Sequence, residues 1–391
     1  MKNKKSILVF IYTFLLLYHP PILQINIVHI LALIALIYLY VNRHEITKIK
    51  QKGYKFFLVI NSLFFCFSTL LNIYNGNYIN IYSIFLFVLE LQICVFFLNF
   101  YTKKNDINLI EICIFSGIIQ AIIAILSFFI PFLQTQIINL FIFNGYPEET
   151  VWFTGKRFFG FASQLTFTMP ILQMVLAILL IDTFFEKKES INFCKIFGSL
   201  LLVFSAIINA RTSIVVLLLG LLYLAYKYRR MILLKHYVYF FITVGLMSIL
   251  IFIISPITFN WIFDGIREIL LLVSGQKKDG YFEALFESFI FFPSNVKGLL
   301  IGEGVNVFNT SVNGLRSDVG YIIDIWNYGL IGMILRYCGT IFGLIKNNKT
   351  MRFPLFLLSV VLICNIKGII FELNEIMVFI SIYICIGDNE K

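Results

Sequence analysis

At residues 313–332 the chain reads Asn-Gly-Leu-Arg-Ser-Asp-Val-Gly-Tyr-Ile-Ile-Asp-Ile-Trp-Asn-Tyr-Gly-Leu-Ile-Gly, so that a polar segment runs directly into a hydrophobic helix. The polar segment begins near Ser255, and nearly everything outside it is apolar. Arg316 and Asp318 stand at the junction, where the edge of a membrane would lie. This part of the chain has both the charge and the room to hold a substrate.

The composition excludes a soluble or disordered chain. Of the 391 residues, 60% are hydrophobic and 13% are charged, and the mean hydropathy is +0.90. These values are typical of a polytopic integral membrane protein. We therefore predict an all-α fold built from membrane-spanning helices.

Apolar runs recur along the whole chain, and most approach the roughly 20 residues that a helix needs to cross about 30 Å of hydrocarbon. We predict about twelve spans, or eleven if the short run 212–226 does not cross. The last two runs are joined around Lys367-Gly368, so one broken helix or a re-entrant pair would also fit. No internal repeat or linker divides the chain, which indicates a single membrane domain over residues 1–391. The runs are residues 6–18, 22–41, 55–74, 78–100, 109–133, 164–185, 192–209, 212–226, 236–255, 319–345, 353–369 and 371–387.

The positions of the basic residues predict the orientation, because short loops rich in Lys and Arg stay in the cytoplasm. With the amino terminus inside, 21 of the 31 Lys and Arg residues fall in inner segments. Both termini are therefore expected in the cytoplasm. Two long segments, about 134–163 and 255–317, then lie outside. The formal net charge of +10 follows from this topology and gives no reason to expect nucleic acid as a partner.

The outer segments carry basic residues that the orientation rule does not explain. Arg157, Arg211 and Arg316 lie near predicted membrane edges, and an arginine fork suits two oxygens of a phosphate. An isolated arginine at a span boundary is more often an anchor that reaches the headgroups, and that alternative is strongest for Arg211. Arg316 is the best candidate for an anionic site, because it shares a turn with Asp318.

Some polar residues fall inside apolar runs, where an ionisable side chain is costly and faces the protein interior or a helix end. They are Glu90, Arg336 and Lys367. The four histidines show no metal-ligand spacing, and the seven cysteines all lie in apolar runs. The sequence therefore predicts no metal, no other cofactor and no disulfide framework.

Three stretches of the carboxy-terminal half are Leu300-Ile-Gly-Glu-Gly304, Ser317-Asp-Val-Gly-Tyr321 and Tyr328-Gly-Leu-Ile-Gly332. Two more are Lys156-Arg-Phe-Phe-Gly160, followed by Pro170, and Asn209-Ala-Arg-Thr-Ser213. Together with the span count, these stretches resemble the Wzy-type repeat-unit polymerases of O-antigen and capsule synthesis. The resemblance in layout covers the whole chain, whereas motif identity is confined to these stretches.

The resemblance implies metal-independent, inverting glycosyl transfer on the outer face of the bacterial cytoplasmic membrane. A glycan on undecaprenyl pyrophosphate would pass to a sugar hydroxyl of the next lipid-linked repeat unit, and the pyrophosphate lipid would leave. It also implies a flippase and a chain-length regulator as partners. The expected catalytic residues are Asp318 as base, with Arg316, Arg211 and Arg157 for the leaving charge. The expected substrate-binding residues are Arg267, Lys278, Lys156 and Glu303.

The chain departs from the family in its spacing. Family arginine motifs often have a glycine eleven residues on, but the residue eleven after Arg157 is Thr168 and the one eleven after Arg267 is Lys278. O-antigen ligases carry a histidine near the start of the corresponding helix, and none is present here, which favours a polymerase. Other acidic residues remain alternatives for the base, namely Asp264, Asp279, Glu283 and Glu303.

A flippase for lipid-linked oligosaccharide is the alternative from another class of protein, and an O-antigen ligase is the alternative within the same chemistry. Transporters usually show two related halves with broken helices at the midplane and short loops. This sequence has no visible repeat and one long outer segment. A polymerase is therefore the preferred interpretation.

Overall fold

The computed structural model describes residues 2–22, 25–46, 51–76, 79–143, 160–162, 167–187, 193–229, 245, 249, 252–253, 255–274, 288–312, 314–346 and 351–387. These residues form helices joined by turns and contain no strand. Val312 and Leu315 form one isolated antiparallel bridge. The predicted all-α fold is confirmed for this part of the chain.

The helices follow the apolar runs closely. Within the described residues they are α1 (Lys2–Tyr18), α2 (Ile27–Val41), α3 (Lys52–Asn75), α4 (Ile79–Phe85), α5 (Leu91–Asn105), α6 (Leu109–Phe129), α7 (Pro131–Phe143), α8 (Thr168–Lys187), α9 (Phe193–Asn209), α10 (Thr212–Lys227), α11 (Pro256–Val273), α12 (Val296–Ile301), α13 (Gly320–Lys346), α14 (Arg352–Cys364) and α15 (Glu375–Ile386). A 3-10 turn at Arg43–Glu45 follows α2, and a π-turn at Leu86–Glu90 joins α4 to α5.

Five of these helices are long and apolar enough to cross a membrane, so the chain has the character of a membrane protein. They are Lys52–Asn75, Ile81–Asn105, Leu109–Phe129, Thr168–Glu186 and Gly320–Lys346. Five apolar helices of 10–17 residues accompany them in the described part of the chain. The count of about twelve spans remains a prediction.

Local sequence explains where several helices begin and end. α3 ends at Gly76, which adopts a left-handed conformation (φ 70°) that glycine accepts without steric cost. α12 and α15 begin after asparagines whose side chains accept a hydrogen bond from the backbone N–H three residues on: Asn295 from Gly298 and Asn374 from Met377.

The chain divides into two compact units. Unit 1 comprises Met1–Val9, Val28–Leu109 and Leu271–Lys391, and unit 2 comprises Phe10–Ile27 and Ile110–Leu270. The boundary falls within α1 and within α11. The single membrane domain over residues 1–391 stays a prediction.

Unit 2 is organised around α8, in which every residue from 168 to 180 is buried. Glycines on the neighbouring helices allow close approach, as is common between membrane helices. A methyl group at Gly117 of α6 would lie 2.6 Å from a Leu176 methyl, and one at Gly220 of α10 would lie 2.4 Å from Ile178. Lys227 of α10 donates to both carboxylate oxygens of Asp182 at 2.8 Å and ties the ends of α8 and α10 together.

Unit 1 contains α3 packed along α13, and α5 packed against α15. Gln92 of α5 donates to the Ser381 hydroxyl of α15 at 3.4 Å. Residues 288–312 and 314–317, within the predicted outer segment, pack with Val319 against the start of α13 and form a local core. Its buried members are Val307, Val319, Ile322, Ile323 and Trp326.

Both predicted outer segments contain helix. Pro131–Phe143 overlaps the first segment, and Pro256–Val273 and Val296–Ile301 lie within the second. The last two apolar runs form two helices of 13 and 12 residues, and the connecting residues 365–374 are non-helical. One broken helix and a re-entrant pair both stay predictions for this part of the chain.

Candidate functional site

The helix that follows the opening stretch is broken at Gly329. Gly329 has φ 64° and ψ −178°, so the backbone leaves the helical path there. Asp324 and Arg336 would be about 18 Å apart along an unbroken helix. Their side chains instead form an ion pair with 2.7 Å between Oδ1 and Nη1. The segments Gly320–Tyr328 and 330–346 are therefore two halves that fold back on each other.

The break is closed by the segment that follows α12. The last carbonyls of a helix lack partners within the helix and need them elsewhere. Here the Glu303 N–H donates to the Trp326 carbonyl at 2.8 Å, and the Gly304 N–H donates to the Asn327 carbonyl at 3.2 Å. Two of the stretches that carry the family resemblance, 300–304 and 328–332, thus form one structure.

Glycine is required on both sides of this contact. A methyl group at Gly302 would lie 2.6 Å from the Gly329 nitrogen, and one at Gly329 would lie 2.4 Å from the Leu300 carbonyl. The clashing atoms are backbone, which cannot rotate away. Gly302 also has a positive φ of 92°. No other residue type fits these two positions without moving the chain.

A hydrogen-bonded chain extends from the ion pair to the 365–374 segment. The Tyr337 hydroxyl donates to Asp324 Oδ2 at 2.6 Å and accepts from Asn365 Nδ2 at 2.6 Å. The Ile370 N–H donates to Asn365 Oδ1 at 2.9 Å. Asp324, Arg336 and Asn365 are all buried. We call the set Asp324, Arg336, Tyr337, Asn365 and Gly329 the broken-helix core.

Aromatic rings and a second carboxylate surround the guanidinium. The Arg336 Cζ atom lies 5.4 Å from the ring centroids of both Phe64 and Tyr328, which is within cation–π range. Glu372 lies in the 365–374 segment and is half-buried. Arg336 and Asp324 both interact electrostatically with Glu372. Two acidic side chains thus share the field of one arginine.

The predicted base lies at the start of the same helix. Asp318 is half-buried, and this burial raises the pKa of its carboxyl, while Lys367 acts in the opposite direction. Ser317 fixes the backbone here, because its hydroxyl donates to the Phe289 carbonyl at 2.7 Å and accepts from the Val319 N–H at 3.1 Å. Arg316 is exposed.

A cavity of about 690 Å³ lies between the end of α3 and the residues around α12. Lys297 donates to the Tyr74 hydroxyl at 3.0 Å, and its ammonium lies 4.6 Å from the Tyr74 ring centroid. Asn295 Nδ2 donates to Glu303 Oε1 at 2.9 Å. The apolar wall consists of Phe67, Leu70, Leu71 and Ile301. The cavity thus offers a cation and a carboxylate beside an apolar surface, and Gly302 joins it to the broken-helix core.

The other predicted residues are distributed as follows. Arg211 is the residue before α10, and its guanidinium lies 4.9 Å from the Trp261 ring centroid in unit 2. Arg267 is exposed on α11, also in unit 2. Arg157, Lys156 and Lys278 lie outside the described residues. Of the predicted set, Glu303, Arg316 and Asp318 belong to unit 1.

Sequence reasoning singled out Arg336 of the broken-helix core and missed its association with the other members. Asp324 and Arg336 were each recognisable as charges in an apolar run, yet a spacing of twelve does not bring side chains together on a helix. Two opposite charges that flank a glycine in one span were the signal that could have revealed the bend. Comparison of the chain with protein-family models, curated proteins and solved structures finds no match.

Replacing Gly329 by alanine is expected to destabilise the protein by about 2–5 kcal/mol, because the strain of a positive φ adds to overpacking against backbone. Gly314→Ala is the matched control, since Gly314 also has a positive φ (79°) but has open space around it. Denaturation of the purified protein in detergent measures both changes. Equal losses in the two variants would contradict the packing explanation.

Asp324→Asn and Arg336→Gln are each expected to cost about 3–5 kcal/mol, because each leaves a buried charge without its partner. The double variant should lose clearly less than the sum of the two single losses. The same denaturation assay measures the free energy of unfolding of all three variants and so completes the double-mutant cycle. Glu45→Gln, which breaks the exposed pair with Lys104, serves as the control and should change little. Additive losses at 324 and 336 would mean that the pair does not hold the two halves together.

Proposed function

We propose that this protein polymerises undecaprenyl-pyrophosphate-linked oligosaccharide repeat units on the outer face of the bacterial cytoplasmic membrane, as a Wzy-type enzyme. The proposal includes about twelve spans, cytoplasmic termini and a metal-independent, inverting glycosyl transfer. The observation that carries it is the association of two family-like stretches, 300–304 and 328–332, beside a cavity with charged and apolar walls. A polyprenyl pyrophosphate sugar has the same combination of charge, hydroxyls and hydrocarbon.

The chemistry assigns a role to each predicted group. The Asp318 carboxylate accepts the proton of the acceptor hydroxyl, whose oxygen then bonds to the anomeric carbon of the donor. The bond from that carbon to the pyrophosphate oxygen breaks, and the electron pair leaves with the lipid pyrophosphate. Lys297 and Arg316 supply positive charge for the leaving group from unit 1. The roles of Arg211 and Arg157 stay predictions from the sequence.

A flippase or transporter for the same lipid-linked substrate is the second candidate. The broken helix α13 favours it, because transporters commonly build substrate sites from discontinuous helices with polar groups inside the membrane. An O-antigen ligase would use the same donor with a different acceptor. The product that accumulates without the protein distinguishes these functions.

Deleting the gene should leave single repeat units at the cell surface and remove the ladder of polymer on a glycan gel. This outcome is expected because export continues while polymerisation stops. Loss of all surface glycan, with lipid-linked units trapped inside, would indicate the flippase instead. Polymer that is made but not attached to its final acceptor would indicate the ligase.

Complementation with Lys297→Gln should lower the amount of polymer roughly ten- to a hundred-fold, because a charge-assisted contact contributes about 1.5–3 kcal/mol. Lys104→Gln is the control, since Lys104 pairs with the exposed Glu45 and does not line the cavity. Quantitative glycan gels at matched protein levels make the comparison. Equal polymer from both variants would remove Lys297 from the site.

The rate of polymer formation should fall on acidification, and the fall should begin at a higher pH than for an ordinary aspartate. The reason is that a base must be ionised, and burial raises the pKa of Asp318. In Asp318→Asn the rate should drop about 10²–10⁴-fold, and the residual activity should lack this acid limb. A pH profile with purified lipid-linked repeat units measures it. An unchanged acid limb in the variant would exclude Asp318 as the base.

A further inference from the structure

A second set of ionisable side chains in unit 1 belongs neither to the broken-helix core nor to the cavity. His29 of α2 lies against Glu90, the last residue of the π-turn, with its Nδ1 atom 2.9 Å from Oε1 and 2.7 Å from Oε2. On the other side of the imidazole, Nε2 lies 2.5 Å from the Tyr82 hydroxyl of α4. The three side chains thus form one continuous hydrogen-bonded row.

The row lies within apolar helices, with His29 and Tyr82 in the first turns of α2 and α4. Tyr38 of α2 packs edge-on against Phe97 of α5, and Lys104 of α5 donates to Asn42, so α2 and α5 run in parallel with a defined register. His29 is 13 residues before Asn42 and Glu90 is 14 before Lys104, which corresponds to about 20 Å of helix in each case. His29 is also only two residues after the start of α2, so within roughly 30 Å of hydrocarbon the row lies nearer the opposite membrane edge. An ionisable pair among apolar helices is costly away from water, which makes it a candidate for function.

Exposure decreases along the row. Tyr82 is 53% exposed, the His29 side chain 28% and the Glu90 side chain 15%. Glu90 closes a π-turn, in which the Leu91 N–H bonds to the Leu86 carbonyl five residues back. Such turns interrupt the regular ladder and often occur at functional positions. The row therefore leads from an accessible hydroxyl to a carboxylate held in an irregular turn.

Other titratable groups near these helices lie along their flanks. α3 packs against the π-turn and carries Tyr54, Cys66 and Tyr74, with Lys52 and Lys55 at its start. α5 carries Cys94, Tyr101, Lys103 and Lys104, and α15, which packs against α5, brings Glu375, Tyr383 and Cys385. The basic groups of α5 are at least 13 residues beyond Glu90. Within α2, α4 and α5, Glu90 forms its ion pair with His29.

Charge balance decides what this row can bind. A neutral imidazole that donates its Nδ1 proton to an ionised Glu90 leaves one net negative charge among apolar side chains. One added proton makes the pair neutral overall, and a neutral pair costs much less to bury than a single charge. The Tyr82 hydroxyl can donate to Nε2 before uptake and accept from the Nε2 proton afterwards.

We infer that His29, Glu90 and Tyr82 form a proton-binding relay in the membrane-spanning part of unit 1, in which the pair holds one shared proton and Tyr82 passes it to and from water. The inference stands on this row alone and does not depend on the proposed glycosyl transfer.

Proton uptake by the full-length protein in lipid nanodiscs tests the inference. The number of protons taken up between about pH 8 and pH 4 is measured with an indicator dye. The double variant His29→Gln/Glu90→Gln should take up one proton fewer than the wild type, whereas either single variant should still take up one proton on the remaining member of the pair. Loss of two protons in the double variant would mean independent groups, and no loss in any variant would mean that the pair is a structural contact alone. Either result would overturn the inference.

His44→Gln and Glu45→Gln provide the matched control, because this histidine and glutamate are neighbours in the exposed 3-10 turn. The decreases in proton uptake caused by these two substitutions should add in the double variant. Tyr82→Phe keeps the pair and removes the hydroxyl. It should leave the amount of proton uptake unchanged and slow its rate several-fold in a rapid-mixing experiment. An unchanged rate would exclude Tyr82 from the relay. The Tyr82→Phe variant therefore tests the inference even if the Glu90 variant fails to fold.

Discussion

The ion pair between Asp324 and Arg336 is the interaction on which the architecture of unit 1 depends. A helix that breaks inside a membrane leaves backbone groups without water, and each needs a partner within the protein. The ion pair holds the two halves of α13 together, and the N–H groups of Glu303 and Gly304 satisfy the carbonyls that the break exposes. Because each contact requires the geometry that the other provides, the break, the pair and the 302–304 segment form one unit of structure.

This arrangement connects the candidate base with the cavity. The half-helix Gly320–Tyr328 has nine residues and is about 13 Å long. Asp318 lies just before its first residue, and Gly302 and Glu303 of the cavity contact its last residues. A short helix whose ends are fixed by hydrogen bonds is a rigid spacer. The distance between a charge-binding cavity and a base would therefore be constant, as a transfer between two large lipid-linked substrates requires.

Much of the helical framework could be predicted from the sequence, because apolar runs end where polar residues begin. The run 192–209 corresponds to Phe193–Asn209, and 212–226 corresponds to Thr212–Lys227. The run 319–345 has the right bounds but the wrong path, since nothing in composition distinguishes the bent Gly329 from the helical Gly332 or Gly339. Helical sequence within the predicted outer segments, such as Pro256–Val273, was hidden by its position between polar residues.

The candidate site was predictable in its members and not in its contacts. Asp318, Glu303 and the charges at 324 and 336 could all be found from residue type and position. Their association depends on two glycines whose need for a positive φ is a property of the folded backbone. Lys297 was recognisable as an unexplained outer charge, but its contact with Tyr74 joins residues 223 apart in the sequence. Long-range pairings of this kind follow from the topology.

The two charged clusters of unit 1 differ in whether the charge of the basic side chain can change. In the broken-helix core both Asp324 oxygens accept a hydrogen bond, and one donor is a guanidinium that stays charged at any physiological pH. Such a pair keeps one arrangement and suits a fixed site. In the His29 row both oxygens of Glu90 approach the same nitrogen, and the imidazole can exist in neutral and charged forms. The first cluster therefore suits a fixed scaffold, and the second suits the reversible proton binding inferred for it.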